Sequence, residues 1–165
     1  MYQKGAKVYL ACRNEEKALK AIETMKAQGG TGELMYGHLD LACLNSVKEF
    51  SDNVSGKESR LDLLVNNAGI MIPPASKTED GFEIQFGVNF IGHFALTGHL
   101  FELLEATEGS RVVTLSSIAH RGASIDFDNF RLEKEYNNWR EYGQSKLADL
   151  IFALELEKRL RSNGY

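Results

Sequence analysis

Hydrophobic positions along the chain change period several times, from short β-prone runs to stripes spaced as on a helix. The runs that predict strands lie at 7–12, 34–41, 61–65 and 111–115. Helical stripes lie between them, and Ala18, Ile22 and Met25 mark the first, which begins after the capping residue Asn14. Strands that alternate with helices are typical of a parallel sheet covered by helices on both faces. The pattern therefore predicts an α/β fold.

Two later segments complete this pattern. Between 80 and 106 the pattern is mixed, because alternation at 82, 84, 86 and 88 indicates a strand while apolar residues at 91, 94, 100, 103 and 104 indicate a helix. After a long loop, the last segment predicts an amphipathic helix over about 138–162. Its expected apolar face consists of Leu147, Leu150, Ile151 and Leu154.

Composition narrows the class of protein. A chain of 165 residues suits one domain, predicted over 1–165, and a net charge of −4 without a basic stripe argues against nucleic acid as a partner. No apolar run is long enough for a membrane span. Cys12 and Cys43 lack C-x-x-C spacing, which predicts a reducing, cytoplasmic location. The four histidines lack the spacing of a metal site, so no metal is expected.

Parallel sheets bind ligands at the carboxyl ends of their strands, so the residues that follow each predicted strand are candidates for the functional site. They are Arg13, Asp40 with Leu41, Asn66 to Gly69, and Ser116 with Ser117.

Four motifs follow one another in the order and context of a known family. They are Asn66-Asn67-Ala68-Gly69 after a strand, Asn89 between Val88 and Phe90, Ser116-Ser117 after a strand, and Tyr142-x-x-x-Lys146. A tyrosine and a lysine four residues apart carry little information alone, but the ordered set is specific. Over nearly its whole length the chain resembles the short-chain dehydrogenase/reductase family. The turn at 11–14 and the long loop before Tyr142 resemble the retinol-dehydrogenase-like and WW-domain-oxidoreductase-like members.

Tyr142 and Lys146 project from one helical face because they are four residues apart. A free tyrosine has a pKa of about 10, too high for acid–base work at neutral pH. An ammonium about 4–5 Å away, at an effective dielectric near 20, favours the phenolate by ~3–4 kcal/mol. The resemblance implies that Tyr142 donates a proton to a substrate carbonyl and that Lys146 also holds the nicotinamide ribose. The alternative is a surface tyrosine and a solvated lysine.

Two further catalytic assignments depend on the resemblance. Chemistry alone does not choose between Ser116 and Ser117, which point to opposite sides of an extended chain. The family motif implies Ser117 as the donor to the substrate carbonyl, against the alternative of a capping serine. Asn89 matches the asparagine that supports a proton relay to the lysine, at a local kink in a helix. On that basis we predict a helix for 80–106, with a structural asparagine as the alternative.

The cofactor predicted from the strand ends is NADP(H). No acid stands at 11–13 to bind an adenosine ribose as in NAD-specific enzymes, and the Arg13 guanidinium suits a 2′-phosphate. Lys17 could assist it, or Arg13 could be a solvated charge at the start of a helix. The resemblance implies further cofactor contacts from Asp40, Leu41, Asn66, Ala68 and Gly69.

The glycine-rich phosphate loop of the family, T-G-x-x-x-G-x-G, is absent from the sequence. We therefore expect a partial Rossmann-type, doubly wound parallel sheet, without the first strand with its loop and without the last strands. The predicted activity interconverts a lipophilic aldehyde or ketone and an alcohol. The alternative is a truncated, inactive chain, or a dimerisation partner of an intact relative. The resemblance implies a dimer through the helices near 80–106 and 138–162.

Overall fold

The computed structural model describes residues 1–162 and divides the chain into two compact units, Met1–Asp40 and Leu41–Tyr165. The strands are β1 (Lys7–Cys12), β2 (Glu33–His38), β3 (Leu63–Asn66) and β4 (Arg111–Thr114). The α-helices are α1 (Glu15–Ala27), α2 (Leu44–Lys57), α3 (Ile84–Phe86), α4 (Gly92–His99), α5 (Phe101–Glu105) and α6 (Asn138–Ser162). Short 3-10 turns cover Tyr2–Lys4 and Ile118–His120.

The first unit is a strand–helix–strand unit in which β1 pairs with β2 in parallel. Asn14 begins α1 as predicted, because its side-chain oxygen accepts a hydrogen bond from the Lys17 amide at 2.8 Å. Ala18 and Ile22 form the buried stripe of α1. The sequence pattern is thus confirmed for this unit.

The second unit contains the other parallel pair, in which β3 lies beside β4 with Leu63 opposite Arg111 and Asn66 opposite Thr114. Before it, α2 buries one apolar face made by Val47, Phe50 and Val54. Within residues 1–162 the strands therefore form two separate two-stranded parallel sheets, and the α/β class is confirmed.

The segment that the sequence left ambiguous is helical. A π-helical turn, Gly87–Ile91, joins α3 to α4, and Asn89 stands at its centre, completely buried. The strand-like alternation at 82–88 was therefore misleading, and the resemblance correctly indicated an irregular helix. The alternation carries no strand information because Gln85 and Phe86, which are adjacent, are both buried.

Close packing at the start of α4 requires glycine. A Cβ atom at Gly92 would lie 2.6 Å from the Leu41 carbonyl oxygen, so Leu41 approaches the helix backbone directly. Leu41 is itself buried by this packing. The contact joins the beginning of the second unit to the helix that follows Asn89.

The last helix, α6, has the predicted length but not the predicted buried face. Ile151 and Leu154 are 49% and 63% exposed, while Leu147 and Leu150 are half-buried. The buried positions are mostly polar and lie in the first half of the helix: Glu141, Gly143, Gln144, Ser145, Lys146, Ala148 and Asp149. The prediction of an apolar buried face was therefore wrong, because α6 packs through hydrogen-bonded polar side chains. No helix within residues 1–162 has the length and apolar character needed to cross a membrane.

Candidate active site

Asn66, at the carboxyl end of β3, anchors the first part of the site. Its side-chain amide donates to the Thr97 hydroxyl of α4 at 3.0 Å and to the Thr114 hydroxyl of β4 at 3.4 Å. These bonds fix the position from which the exposed turn Asn67–Gly69 leaves the sheet. Asn66 is thus buried as a structural anchor, while Ala68 and Gly69 are accessible to a ligand.

Asn89 connects this turn to α6. Its side-chain oxygen accepts from the Ile70 amide at 2.8 Å, and its amide nitrogen donates to the Ile70 carbonyl at 3.0 Å. The same nitrogen donates to the Ser145 hydroxyl at 3.0 Å. A π-helical turn changes the direction of side chains within a helix and is frequent at functional sites. Here it presents Asn89 to two elements at once.

Lys146 is buried at the centre of the site, with 6% of its surface exposed. Its ammonium donates to the Leu115 carbonyl, just after β4, and to the Asp149 carboxylate, both at 2.9 Å. A Cβ atom at Gly69 would lie 3.7 Å from the lysine nitrogen. The ammonium therefore lies beside Gly69, in the turn that follows β3.

Tyr142 precedes Lys146 by one helical turn and is half-buried. The Ser145 hydroxyl donates to the Tyr142 carbonyl at 2.8 Å, which ties this turn to Asn89. Just before it, the fully buried Glu141 carboxylate accepts from Arg140 at 2.6 Å and from the Asn129 amide at 3.1 Å. The bond from Asn129 holds the beginning of α6 to the preceding loop.

The two candidate serines have different partners. The Ser116 hydroxyl donates to the Lys146 backbone carbonyl at 2.6 Å. The Ser117 hydroxyl oxygen accepts from the Ala119 amide at 3.3 Å and caps the 3-10 turn. The hydroxyl hydrogen of Ser116 is therefore already donated to α6. The bond to Ser117 occupies an oxygen lone pair and leaves its hydroxyl hydrogen available for donation to a ligand.

His93, which sequence reasoning treated as unremarkable, is also part of this cluster. Its Nδ1–H donates to the Asn89 carbonyl at 2.8 Å, and the ring is 4% exposed. Burial lowers the pKa of His93 below the usual range, opposed by this hydrogen bond and assisted by the Lys146 charge. The imidazole is therefore neutral at neutral pH and adds no second cation beside Lys146.

Asp149 is a second residue that sequence reasoning missed, although its position three residues after Lys146 on one helix face could have indicated it. It is 1% exposed. Burial raises the pKa of Asp149 to about 6, opposed by its hydrogen bond to Lys146 and by the lysine charge. Among residues 1–162 no group of three or more histidine, cysteine and acidic side chains could hold a metal ion.

The remaining cofactor candidates belong to the end of the first unit and the start of the second. Arg13 is exposed directly after β1, beside the cap of α1, and Asp40 is half-buried at the end of the first unit. Leu41 is buried and packs on Gly92 through both its carbonyl oxygen and its side chain. These positions stay predictions.

Comparisons with known proteins agree with this geometry. The profile of the short chain dehydrogenase family matches residues 1–164. The chain is 44% identical to human retinol dehydrogenase 13 over 98% of its length and 49% of that protein, and 44% identical to mouse retinol dehydrogenase 11 over 98% and 51%. It thus spans about half the length of the curated relatives it matches.

Solved structures support the same fold. An uncharacterized protein from Mycobacterium paratuberculosis superposes with a TM-score of 0.79 at 40% identity, over 95% of this chain and 54% of that one. A metagenomic short-chain oxidoreductase crystallised with NADP superposes with a TM-score of 0.73 at 23% identity, over 96% and 66%. The predicted Rossmann-like class and the likeness to retinol dehydrogenases are confirmed. The chain belongs to the short-chain dehydrogenase family of oxidoreductases.

Proposed function

We propose that this protein is an NADP(H)-dependent oxidoreductase that interconverts a carbonyl compound and an alcohol, with Tyr142 as the proton donor or acceptor. The observation that carries the proposal is a pair of hydrogen bonds, from Asn89 to Ser145 and from Lys146 to the Leu115 carbonyl, which hold one face of α6 beside the accessible turn Ala68–Gly69. Tyr142 and Lys146 project from that helix one turn apart.

Each residue has a defined task in the reducing direction. Tyr142 donates its hydroxyl proton to the carbonyl oxygen of the substrate, and the nearby lysine charge stabilises the phenolate that remains. Lys146 would donate a hydrogen bond to a ribose hydroxyl of the cofactor. A bound nicotinamide cofactor supplies the hydride that the carbonyl carbon accepts. Asn89 holds the turn and α6 together through Ile70 and Ser145.

Ser117 is the second donor to the substrate oxygen. The bond from Ser116 to the Lys146 carbonyl supports this choice, because the hydroxyl hydrogen of Ser116 is already engaged in it. Ser117 keeps its proton while accepting from Ala119. The next residue, Ile118, is 72% exposed, which suits an apolar substrate beside the serine. The names of the retinol dehydrogenase relatives point in the same direction, toward lipophilic aldehydes, ketones or alcohols.

NADP(H) is the preferred cofactor because of the charge after β1. Arg13 is an exposed guanidinium at the position where an NAD-binding protein carries an acid. The solved NADP complex of a structural neighbour is consistent with this preference. The accessible backbone at Gly69 would allow a close approach of the ribose.

Substitution of Tyr142 by phenylalanine tests the acid role. Tyr142→Phe should lower NADPH-dependent reduction of a long-chain aldehyde by at least about 100-fold, because it removes the proton while keeping the ring. NADPH binding, followed by fluorescence titration, should persist. Tyr36→Phe on β2 is the control and should retain the parental rate. Turnover of Tyr142→Phe within tenfold of the parent would contradict the acid role.

Substitution of Arg13 by aspartate tests the cofactor. Arg13→Asp should weaken NADPH binding far more than NADH binding, because only NADPH carries the 2′-phosphate. Arg161→Asp, which makes the same charge change on the exposed second half of α6, should affect neither. An equal loss of both cofactors in Arg13→Asp would exclude Arg13 as the reader of the phosphate.

We also propose that the protein forms a homodimer through α4 and α6. Phe94, Ile151 and Leu154 are about half exposed or more on these helices, and the Phe94 ring lies 5.4 Å from that of Phe152. An apolar face of this kind suits a self-complementary interface. Light scattering of the purified protein should give twice the monomer mass, and a monomer at all concentrations would refute the proposal.

A further inference from the structure

The carboxylate of Asp149 occupies an unfavourable environment. The side chain is 1% exposed, and only one of its oxygens, the one that accepts from Lys146 at 2.9 Å, has a hydrogen-bond partner within the described residues. Burial of a carboxylate with one unsatisfied oxygen is costly. Helix stability alone does not explain such a group, because an exposed ion pair on α6 would avoid the cost.

The charge of Lys146 explains why the carboxylate is there. The Lys146 ammonium is 6% exposed and has lost most of its hydration, a cost that an opposite charge beside it offsets. The Leu115 carbonyl accepts one of its hydrogens but carries no net charge. His93, the titratable group that faces Lys146 from α4, is uncharged at neutral pH because burial lowers its pKa. Asp149 thus provides the opposite charge that pairs with the lysine.

Geometry adds an orienting effect. A lysine ammonium has three N–H bonds, and fixed acceptors on Leu115 and Asp149 take two of them. The third is then restricted in direction, and Gly69 lies close to the same nitrogen. A flexible lysine side chain would otherwise lose rotamer entropy when it binds a cofactor hydroxyl.

We propose that Asp149 is a positioning residue that stabilises the charge of Lys146 and directs its ammonium toward the cofactor ribose. The inference rests on the proposed function, since it assigns Asp149 a role through Lys146. Burial raises the pKa of Asp149 to about 6, so the carboxylate is ionised at neutral pH and the pair is charged. Glu155, which pairs with Arg159 at 2.7 Å on the exposed half of the same helix, lacks such a role.

Chemical labelling measures the protonation of Lys146 without any activity. Asp149→Asn keeps the shape and one acceptor oxygen but removes the charge. Competitive acetylation read by mass spectrometry should show Lys146 reacting about tenfold faster at neutral pH in this variant, because only the neutral amine reacts. Glu155→Gln removes one charge from the same helix and should leave the rate unchanged. Equal rates in the parent and Asp149→Asn would overturn the inference.

The pH profile of turnover separates positioning from a merely structural role. Because Asp149→Asn removes the charge that stabilises the Lys146 ammonium, the alkaline limb of kcat for NADPH-dependent reduction should move to lower pH by about one unit. Glu155→Gln should follow the parental profile. A uniform loss of kcat at every pH would indicate a structural role and would also overturn the inference.

An NMR titration of the unsubstituted protein tests the inference even if the Asp149→Asn variant fails to fold. The carboxyl 13C signal of Asp149 and the ζ-15N signal of Lys146 should move with one shared midpoint near pH 6. A Lys146 15N signal that does not change over the pH range in which Asp149 titrates would contradict the coupling. If the parent shows no NADP(H)-dependent turnover, the proposed function fails, while labelling and NMR still decide the link between Asp149 and Lys146.

Discussion

The two halves of α6 differ in a way that reverses the usual relation between hydrophobicity and burial. In the first half, Glu141, Gln144, Ser145, Lys146 and Asp149 are each at most 6% exposed. In the second half, Ile151 is 49% and Leu154 is 63% exposed, and the ion pairs of the helix there are at the surface. One continuous helix thus carries a buried polar face and an exposed apolar one.

In α6, a side chain is buried where it has a specific hydrogen-bond partner and not simply where it is apolar. Nearly every buried polar group of the first half has a specific partner, such as Asn129 for Glu141 or Leu115 for Lys146. Buried polar groups are tolerated when they are hydrogen-bonded, and such networks are sensitive to the loss of one member. Apolar side chains at the surface cost little by themselves and are available for association. Substitutions in the two halves should therefore have very different effects.

The largest effect is expected when the central cation is removed. Lys146→Met leaves the Asp149 carboxylate buried without its counter-charge, which should lower the free energy of unfolding by ~3 kcal/mol above pH 7 and turnover by at least about 100-fold. The loss of stability should be smaller near pH 5, because the carboxyl group then takes up a proton. Urea unfolding at both pH values measures this. Lys158→Met in the exposed half is the control, and equal losses in both variants would remove the contrast.

Next in size is the dependence of stability on pH. The folded-state pKa of Asp149 is about 6, above its ordinary value of 3.8, so the folded protein holds more protons than the unfolded chain between these values. Stability from this group is therefore largest at low pH, falls as pH rises from about 4 to about 6 by up to ~3 kcal/mol, and then stays level. Urea titrations across this range should show the fall in the parent and a smaller one in Asp149→Asn. An unchanged slope in the variant would show that another group causes it.

A smaller effect is expected from one hydroxyl of the buried half. Ser145→Ala removes the donor to the Tyr142 carbonyl and the acceptor for Asn89, and should cost ~1–2 kcal/mol of unfolding free energy. Thermal unfolding measures it. Ser162→Ala, which loses an exposed bond to the Arg159 carbonyl, should cost less than ~0.5 kcal/mol. Similar costs at both serines would mean that burial is not the deciding factor.

The smallest effect on stability is expected in the exposed half. Leu154→Ser should change the free energy of unfolding of the monomer by no more than ~0.5 kcal/mol, because the side chain is 63% exposed. If α6 forms the proposed dimer, the same variant should shift the mass measured by light scattering toward the monomer. A large loss of monomer stability would contradict the comparison between the two halves.

Much of the fold could be read from the sequence. The strand at 7–12, the cap at Asn14 and the long last helix follow from local patterns, and all are present. The irregular helix around Asn89 did not follow from periodicity, because neighbouring residues of that segment are both buried. The resemblance to a family predicted this helix, because an ordered set of motifs carries information that the spacing of apolar residues does not.

The α/β class, the family and the candidate residues from Asn66 to Lys146 follow from the linear sequence, because strand-end motifs and their order are properties of the linear chain. Long-range packing decides which side of α6 is buried, which serine hydroxyl already donates a hydrogen bond and which carboxylate faces Lys146. Those outcomes depend on partners far apart in the chain, such as Leu115, which lies 31 residues before Lys146. A periodic pattern records where apolar residues fall, but a buried polar side chain is explained only by the group that meets it.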